Sequence, residues 1–426
     1  MTRTLTAVFV LVFATLSARA QEARFFIERI EVRNAHRVSS DLVISESLLR
    51  EGTEYSEADL RAASLRLSRL PFLLSADFAL EKGSDRGRHV LVITIAETKP
   101  FFFLIDVRPV VDDEARQALV DYAGSFDAET NEAALGFRTF VGRRGIAHLG
   151  VTSRRDRQMF TTDYSAAAIG YTQYDLFGTR AFATLNLRMP FNAASGGALS
   201  PQLVIGIPLN ANQTLTFDYE ETRFEREQTH VDGIAITRQD AERLVSATWT
   251  YNTTNQPFVP TRGTILRVMP LWAARDRAGY RFFTVPRDPV FRPEAFAQHV
   301  NGYGIDVLGA HYWELSDRHA VYAGLQTGWA SVRDRANQTL LPLEVNSTPA
   351  YVIVGGGYSF NLWHGRERNG DSRIETGLHY IARERGFDRL AFRDFDNVEG
   401  FEISANWARR SSWGTLRLGL STTWQR

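Results

Sequence analysis

Beyond residue 100 the chain consists mainly of short segments in which apolar and polar residues alternate. In the clearest of them, Leu416, Leu418 and Leu420 alternate with Thr415 and Arg417. Successive side chains of a β-strand point to opposite faces, so this pattern predicts strands with one apolar and one polar face. A transmembrane barrel with an apolar outside and a polar lumen fits the pattern, and so does a soluble sandwich or propeller.

Three further features favour the barrel. The segments are close to the length of about ten residues that an oblique membrane crossing requires, and their polar side carries Arg, Glu and Gly, as a wet lumen would. Connections alternate between tight ones, at 175–179, 210–212 and 316–318, and long ones, at 275–299 and 332–349. Outer-membrane barrels have short turns at one end and long loops at the other, so we expect an antiparallel transmembrane β-barrel.

The composition narrows the classes of function. The 426 residues include no Cys, and 49 Lys and Arg residues balance 49 Asp and Glu residues. The lack of Cys excludes a disulfide framework and thiolate metal sites, and the zero net charge argues against nucleic-acid binding. The sequence contains no nucleophile elbow, His-Glu-x-x-His motif or phosphate-binding loop. It therefore predicts a protein that is not an enzyme and needs no metal or cofactor.

The first twenty residues have the pattern of a secretory signal peptide. Arg3 precedes an apolar run at 5–16, and Ala18-Arg19-Ala20 presents a small–x–small cleavage pattern. The alternative is a short buried helix at the chain start. After Ala20 the chain has no apolar run long enough to cross a membrane as a helix, so any membrane insertion is expected to use strands.

Residues 21–100 predict a small α+β domain with the order β-α-α-β-β. Ser39 or Ser40 is expected to cap the first helix, and Ser56 to cap the second, with Asp59 completing a capping box. Pro71 ends the second helix, and strands follow at 72–80 and 89–97. The next residues, 101–133, are either a linker with a helix at 112–122 or the first barrel strand, and the barrel then covers 134–426.

This small domain resembles a POTRA domain, the periplasmic module that precedes the barrels of the BamA/TamA and two-partner-secretion transporter superfamily. The resemblance rests on Leu48-Leu49-Arg50-Glu51-Gly52-Thr53, Leu67-Ser68-Arg69-Leu70-Pro71-Phe72 and Glu97-Thr98-Lys99-Pro100. It implies that an extended client binds along an exposed edge strand of the domain. The two candidate edges are the strand with Phe26, Ile30 and Val32, and the strand with Leu73, Leu74, Phe78 and Leu80.

Two turn motifs in the barrel half extend the resemblance. Tyr174-Asp175-Leu176-Phe177-Gly178-Thr179 is similar to the family's early periplasmic turn, and Phe258-Val259-Pro260-Thr261-Arg262-Gly263 to its mid-barrel turn. A tight reversal explains the same residues without a special role, because Pro fixes φ and Gly permits a positive φ.

A third segment departs from the family pattern. Gly355-Gly356-Gly357-Tyr358-Ser359 lies where the family has a glycine pair before an Arg-containing tip that inserts into the lumen, so the resemblance implies that these residues and Asn361 belong to a lumen loop. Asn361 stands at the position of that Arg. Because Asn carries no charge, it cannot form the ion pair that the resemblance implies between the Arg and the barrel wall.

The last strand and the strand number complete the expectations. Gly419 and Trp424 fit the C-terminal insertion signal of outer-membrane barrels, or simply an amphipathic strand. The resemblance implies about sixteen strands, whereas the alternating segments themselves suggest about 12 to 14.

The resemblance implies an outer-membrane protein of a Gram-negative bacterium with its POTRA domain in the periplasm. Such a protein inserts proteins into the outer membrane or moves a polypeptide across it, and the seam between first and last strands opens to template new strands. The implied partners are outer-membrane lipid and lipopolysaccharide, unfolded outer-membrane or secreted polypeptides, and periplasmic chaperones or lipoproteins. The alternatives are a transporter dedicated to one secreted protein and a passive pore or structural barrel, which Asn361 supports best.

Overall fold

A computed structural model describes residues 23–109, 128–156, 164–190, 199–231, 234–256, 258–285, 288–337, 343–347, 350–363, 370–383 and 398–425. The predicted signal peptide at 1–20 and the helix predicted at 112–122 lie outside these residues. Within the described part of the chain, no helix is both long enough and apolar enough to cross a membrane.

The N-terminal domain is a four-stranded sheet with two helices. Its elements are β1 (Arg24–Arg33), α1 (Ser40–Ser47), β2 (Thr53–Ser56), α2 (Glu57–Ser68), β3 (Leu73–Lys82) and β4 (Arg88–Glu97). The sheet order is β2-β1-β4-β3, with β1 and β4 parallel and the other pairs antiparallel. The predicted β-α-α-β-β order is present, and the short strand β2 adds to it.

Local capping explains where the two helices begin. Ser39 caps α1, since its hydroxyl accepts the N–H of Leu42 at 3.2 Å. Ser56 caps α2 in the predicted capping box, in which Ser56 Oγ accepts the N–H of Asp59 at 3.2 Å and the Asp59 carboxylate accepts the N–H of Ser56 at 3.0 Å.

The domain core lies between the helices and the sheet. Ile27, Leu42, Leu67, Leu91 and Ile93 are all fully buried in it. Removing this much apolar surface from water is the main stabilising contribution to such a domain.

One ion pair lies beside this core. Arg66 Nη2 donates to Glu46 Oε2 at 2.8 Å, and Arg66 Nε donates to the Glu46 carbonyl at 2.9 Å. Burial raises the pKa of the Glu46 carboxyl, although the Arg66 guanidinium opposes the rise.

The rest of the described chain forms a second sheet that closes into a barrel. Its strands are β5 (Phe101–Pro109), β6 (Ala128–Val141), β7 (Gly145–Asp156), β8 (Tyr164–Gln173), β9 (Phe182–Pro190), β10 (Ser200–Asn210), β11 (Gln213–Val231), β12 (Ile234–Asn252), β13 (Gly263–Val285), β14 (Asp288–Ser316), β15 (His319–Asn337), β16 (Leu343–Ser347), β17 (Ala350–Trp363), β18 (Gly370–Arg383), β19 (Val398–Ser411) and β20 (Gly414–Gln425). Strands that follow one another in the chain pair antiparallel, except that β16 and β17 both pair with β15, and β20 pairs with β5 in parallel to close the ring.

The described ring has fifteen strand positions, so both expected strand numbers need correction. Strands β16 and β17 pair with successive stretches of the same side of β15 and therefore share one position. Residues 101–109 form the first barrel strand, which was one of the two alternatives for that segment. A parallel closure permits an odd number, because the first and last strands then run in the same direction.

The predicted alternation holds along the barrel strands. Leu185, Leu187 and Met189 of β9 are exposed on the outer surface. Arg188 lies between them in sequence and points into the lumen, where it forms an ion pair with Glu220 of β11. An apolar outside and a polar inside fit a transmembrane barrel.

Tight turns gather at the end of the barrel that carries the N-terminal domain, which we call the domain end. The predicted tight connections at 175–179, 210–212 and 316–318 all lie there, together with the turn at 412–413. At the opposite end, residues 275–299 were expected to be a long loop. Residues 275–285 and 288–299 belong instead to the extended hairpin of β13 and β14, whose ladder continues from Gly263–Tyr312 to Val285–Asp288.

Candidate functional site

The seam between β5 and β20 is short. Its register extends from Phe103–Gly414 to Val107–Leu418, whereas β19 and β20 pair from Ser411–Gly414 to Gly400–Gln425. Beyond Leu418, the described strands give β20 a partner on the β19 side alone. The seam is also parallel, a pairing that is slightly less stable per residue than an antiparallel one.

The N-terminal domain contacts both strands that flank this seam. Arg410 of β19 donates from Nη2 to the carbonyls of Ser68 and Leu73, at 3.1 and 2.8 Å. Arg138 of β6 donates from Nη1 to the Pro71 carbonyl at 2.5 Å. The segment from Ser68 to Leu73, which we call the docking segment, therefore bridges β6 and β19 across β5 and β20.

An aromatic cluster anchors the docking segment in the barrel mouth. The Phe72 side chain is 1% exposed and meets Phe140 and Tyr174 edge-on, with ring centroids 5.7 and 5.6 Å away. Tyr174 in turn packs against Phe182 at 5.8 Å. Edge-to-face aromatic pairs add to the free energy of simple burial, so Phe72 is the apolar centre of the domain–barrel junction.

A buried arginine adds a polar contact at the other side of the junction. Arg69 Nη2 donates to Asn252 Oδ1 at 3.0 Å, at the end of β12. Burial lowers the pKa of the Arg69 guanidinium to about 10, which leaves it charged at neutral pH. The contact is therefore a charge-assisted hydrogen bond.

Strand β3 is an edge of the domain sheet, but helix α2 covers its first part. Ser64 Oγ donates to the Ala76 carbonyl at 2.5 Å, and the Ala76 N–H donates to Ser68 Oγ at 3.1 Å. Both peptide groups of Ala76 thus point away from β4. Alternation along an antiparallel ladder then directs the corresponding groups of Phe78 and Leu80 to the same open side.

The other predicted edge needs correction. Strand β1 lies between β4 and β2, and its pairing with β2 includes Phe26. The N–H of Ile30 donates to Glu51 Oε1 at 2.9 Å. Because both sides of β1 are occupied at these positions, it is no free edge at Phe26 and Ile30. Leu73 and Leu74 lie at the start of β3, where Leu73 is fully buried and its carbonyl is bound by Arg410.

A cleft of about 510 Å³ separates the β3 edge from the barrel mouth. Arg61, Ser64 and Asp77 line it from the domain, and Arg262 and Arg410 line it from the barrel. The cleft places the edge strand, the domain end of the lumen and the end of β19 within one region.

The lumen is lined by polar groups that bind one another. Asn186 Nδ2 donates to Gln202 Oε1 at 2.9 Å, and Gln202 Nε2 donates to Asp218 Oδ2 at 3.1 Å. Farther around the ring, Arg275 Nε lies 3.2 Å from Glu242 Oε1, with the Arg275 side chain 5% exposed. Paired charges of this kind keep a polar interior without uncompensated buried ions.

The first predicted turn motif forms a tight reversal at the domain end. Leu176, Phe177 and Gly178 make one 3₁₀ turn after Asp175, and Gly178 has a φ of +73°. The Phe177 side chain is 99% exposed.

The second predicted turn motif has a buried centre. Pro260 and Arg262 lie in the connection between β12 and β13, and Gly263 begins β13 with a φ of +106°. A Cβ at Gly263 would lie 2.4 Å from the Thr253 carbonyl, so the position requires glycine. Unlike Phe177, the neighbouring residues Phe258 and Val259 are 7% and 1% exposed.

The glycine run lies in a strand and not in a loop inside the lumen. Gly355, Gly356 and Gly357 are part of β17 and pair with both β15 and β18. A Cβ at Gly357 would meet the Thr376 carbonyl on β18 and would lie 2.7 Å from the Tyr322 hydroxyl on β15, so the position requires glycine. Tyr358 points outward, where its hydroxyl contacts His319.

Ser359 and Asn361 continue β17 towards the domain end and are 1% and 4% exposed. Asn361 Nδ2 donates to the Val259 carbonyl at 3.3 Å. The residue that departs from the family pattern therefore contacts the second turn motif. In the last strand, Gly419 and Trp424 pair with Asn406 and Phe401, and the Trp424 side chain lies outside the described part.

Arg138, Arg410 and Phe140 were not singled out from the sequence, and Tyr174 was named only as part of the first turn motif. Two of them bind backbone carbonyls of a segment that is far away in the chain, and a carbonyl leaves no signal in the sequence. Phe72 itself belonged to the motif that supported the POTRA resemblance. In the described part of the chain, no three His, Asp or Glu side chains are grouped to bind a metal ion.

Comparisons with known proteins give similarities to solved structures only. No protein-family model matches the sequence, and no curated protein is similar to it. BamA from Haemophilus ducreyi lacking POTRA domains 1-3 superposes over 94% of this chain and 81% of that one, at 12% identity and a TM-score of 0.41. CdiB from Acinetobacter baumannii superposes over 91% and 61%, at 11% identity and a TM-score of 0.41.

OmpT of Vibrio cholerae, in its in-vitro folded trimer form, superposes over 75% of this chain and 97% of that one. The identity is 10% and the TM-score is 0.33. Superpositions at these scores are partial, and the function is therefore argued from this chain's own residues.

Proposed function

We propose that this protein is an outer-membrane barrel that receives unfolded polypeptides through its N-terminal domain and inserts them into, or passes them across, the membrane. The observation that carries the proposal is the docking segment, which joins β6 and β19 on either side of the short parallel seam. A domain held in this way places its strand edge beside the short parallel seam that closes the ring.

Client capture is proposed at the open side of β3. The N–H and C=O groups of Phe78 and Leu80 are directed to that side, and an extended segment can add to the sheet there through backbone hydrogen bonds. Such binding reads shape more than sequence, which suits a protein that handles unfolded chains. The proposal places this domain, which resembles a POTRA domain, in the periplasm.

The captured segment would pass from the edge into the cleft between the domain and the barrel mouth. From there it pairs with an exposed strand at an opened seam, where unpaired backbone groups act as a template. Folding into the bilayer is favourable, so no cofactor or catalytic residue is part of this proposal.

A second candidate is a transporter dedicated to one secreted polypeptide, which would pass through the lumen. The polar lining, represented by the contacts of Asn186, Gln202 and Arg188, favours it, because an extended hydrophilic chain needs such a surface.

Disulfide locking distinguishes the two routes. Because the sequence contains no native Cys, each variant can form only the disulfide that was introduced. The pair Ile105→Cys with Leu416→Cys joins register partners across the seam. The matched control Ala405→Cys with Leu420→Cys joins register partners of β19 and β20. Under oxidising conditions we expect the seam lock alone to stop insertion of barrel clients, with recovery on reduction.

The readout is quantitative proteomics of the outer membrane and the medium after replacement of the protein by each locked variant. Loss of many barrel proteins with the seam lock supports insertion. Loss of one secreted protein from the medium in a depleted strain, but normal secretion with the seam lock, supports the lumenal route. Unchanged fractions on depletion would refute both and leave a passive barrel.

A further inference from the structure

The connection between β12 and β13 is built as a rigid turn. Asn255 Oδ1 accepts the N–H groups of Thr261 and Arg262 at 3.0 and 3.1 Å, and Asn255 Nδ2 donates to Thr261 Oγ1 at 2.8 Å. At its base, the Thr253 N–H donates to the Thr264 carbonyl at 2.8 Å. These bonds tie the two ends of the turn to each other.

Phe258 and Val259 form the tip of this turn, and the tip is buried inside the domain end of the barrel. The two side chains pack with Ala408 of β19 in one apolar cluster. The Val259 carbonyl accepts a hydrogen bond from Asn361 of β17 at 3.3 Å. The tip therefore contacts the inner wall formed by the last strands of the ring.

Two cations flank the Phe258 ring. The guanidinium carbons of Arg373, from β18, and Arg417, from β20, each lie 5.8 Å from the ring centroid. This separation is within the range of cation–π attraction, which is stronger where the groups are shielded from water. Arg373 is also held by Glu375, whose Oε2 lies 2.9 Å from its Nη2.

The contact with Arg417 falls within the seam. Arg417 is the register partner of Asp106 on β5, between the partners of Ile105 and Val107. Strand β20 can move outward from the ring only if the Arg417 side chain leaves the Phe258 ring. The other contacts of the tip, with β17, β18 and β19, stay with the wall.

We propose that Phe258 and Val259 are an internal latch that holds β20 in the closed ring and sets how often the seam opens. The latch acts on the barrel itself, so the proposal stands whether or not clients bind along β3. Burial of the tip is not a general property of turns at this end, because the Phe177 side chain on the β8–β9 turn is 99% exposed.

The test measures the seam directly. Spin labels are attached at Ile105→Cys and Leu416→Cys in the otherwise Cys-free chain, reconstituted in vesicles of outer-membrane phospholipid. Double electron–electron resonance then gives the distance distribution between β5 and β20. Phe258→Ala is compared with Phe177→Ala, which removes an equal side chain from an exposed turn, and with Phe258→Trp, which keeps an aromatic face.

We expect Phe258→Ala to raise the long-distance population about tenfold, as loss of a shielded cation–π contact implies. Phe258→Trp and Phe177→Ala should match the parent. An unchanged distribution in Phe258→Ala, or an equal shift in Phe177→Ala, would overturn the proposal.

Folding is checked by the heat-modifiable mobility of the barrel on a denaturing gel. If Phe258→Ala does not fold, Arg417→Gln tests the same contact from β20 without disturbing the turn. A shift in the same direction supports the latch, and an unshifted distribution refutes it.

Discussion

Replacement of Arg410 by Ala should release the N-terminal domain from one side of the seam. Arg410 Nη2 reaches two backbone carbonyls of the docking segment, at 2.8 and 3.1 Å. Hydrogen bonds from a charged donor contribute about 1.5–3 kcal/mol each. Because the two bonds share one nitrogen, we take about 2–3 kcal/mol for both, which corresponds to roughly a 30- to 150-fold change in the ratio of docked to undocked domain.

The neighbouring residue provides the control. Arg409 lies on the opposite face of β19, with its guanidinium carbon 5.8 Å from the centroid of the Trp363 ring. Arg409→Ala therefore removes the same side chain from the same strand without touching the domain. The Phe72 and Arg138 contacts remain in Arg410→Ala, so we expect a mixture of docked and undocked molecules and not complete release.

The assay uses spin labels at Arg86→Cys, in the β3–β4 turn of the domain, and at Asp317→Cys, in the β14–β15 turn of the barrel. Both positions are exposed. The parent and Arg409→Ala should give one narrow distance distribution, and Arg410→Ala a second, broader one. A single unchanged distribution in Arg410→Ala would refute the reasoning that its hydrogen bonds hold the domain in place.

Three further predictions concern the domain. Burial raises the pKa of the Glu97 carboxyl, but hydrogen bonds from the N–H groups of three successive residues outweigh burial and hold this pKa below its ordinary value. The free energy of unfolding of the domain should therefore fall as the pH drops through the lowered pKa. In urea titrations, Glu97→Gln should remove this dependence of the free energy of unfolding on acidic pH and lower that free energy by about 2 kcal/mol at neutral pH. The raised pKa of Glu46 has the opposite effect on stability. Its contribution to the free energy of unfolding is present below the ordinary pKa and is lost as the pH rises through the raised pKa, and Glu46→Gln should remove this pH dependence. Finally, Ser64→Ala with Ser68→Ala should uncover the Ala76 peptide groups and raise photo-crosslinking of a synthetic strand-forming peptide about fivefold, while unchanged crosslinking would show that the serines do not block the edge.

Features that depend on neighbours in the chain were predicted correctly. The caps at Ser39 and Ser56 bind N–H groups three residues away. The outward Leu185 and inward Arg188 follow from strand alternation alone. The tight turns could also be predicted from the sequence, because Pro, Gly and Asn favour particular local backbone angles.

Features that depend on distant partners were missed or misassigned. The glycine run was interpreted as part of a lumen loop, but Gly357 lies in β17, where the Thr376 carbonyl on β18 and the Tyr322 ring on β15 leave no room for a Cβ. The segment at 275–299 was interpreted as a loop, but a continuous ladder pairs β13 with β14 there. Neither partner is visible from local composition.

By itself, the sequence determined that this chain forms an α+β domain followed by strands with an apolar and a polar face, since both properties depend on short-range sequence patterns. Only the tertiary structure decided that β20 meets β5 in parallel and that the ring has fifteen positions. It also placed Arg410 and Phe258 beside the seam. The reason is physical: ring closure and these contacts join groups that are hundreds of residues apart or on opposite sides of the barrel, and their geometry exists only after the strands have paired.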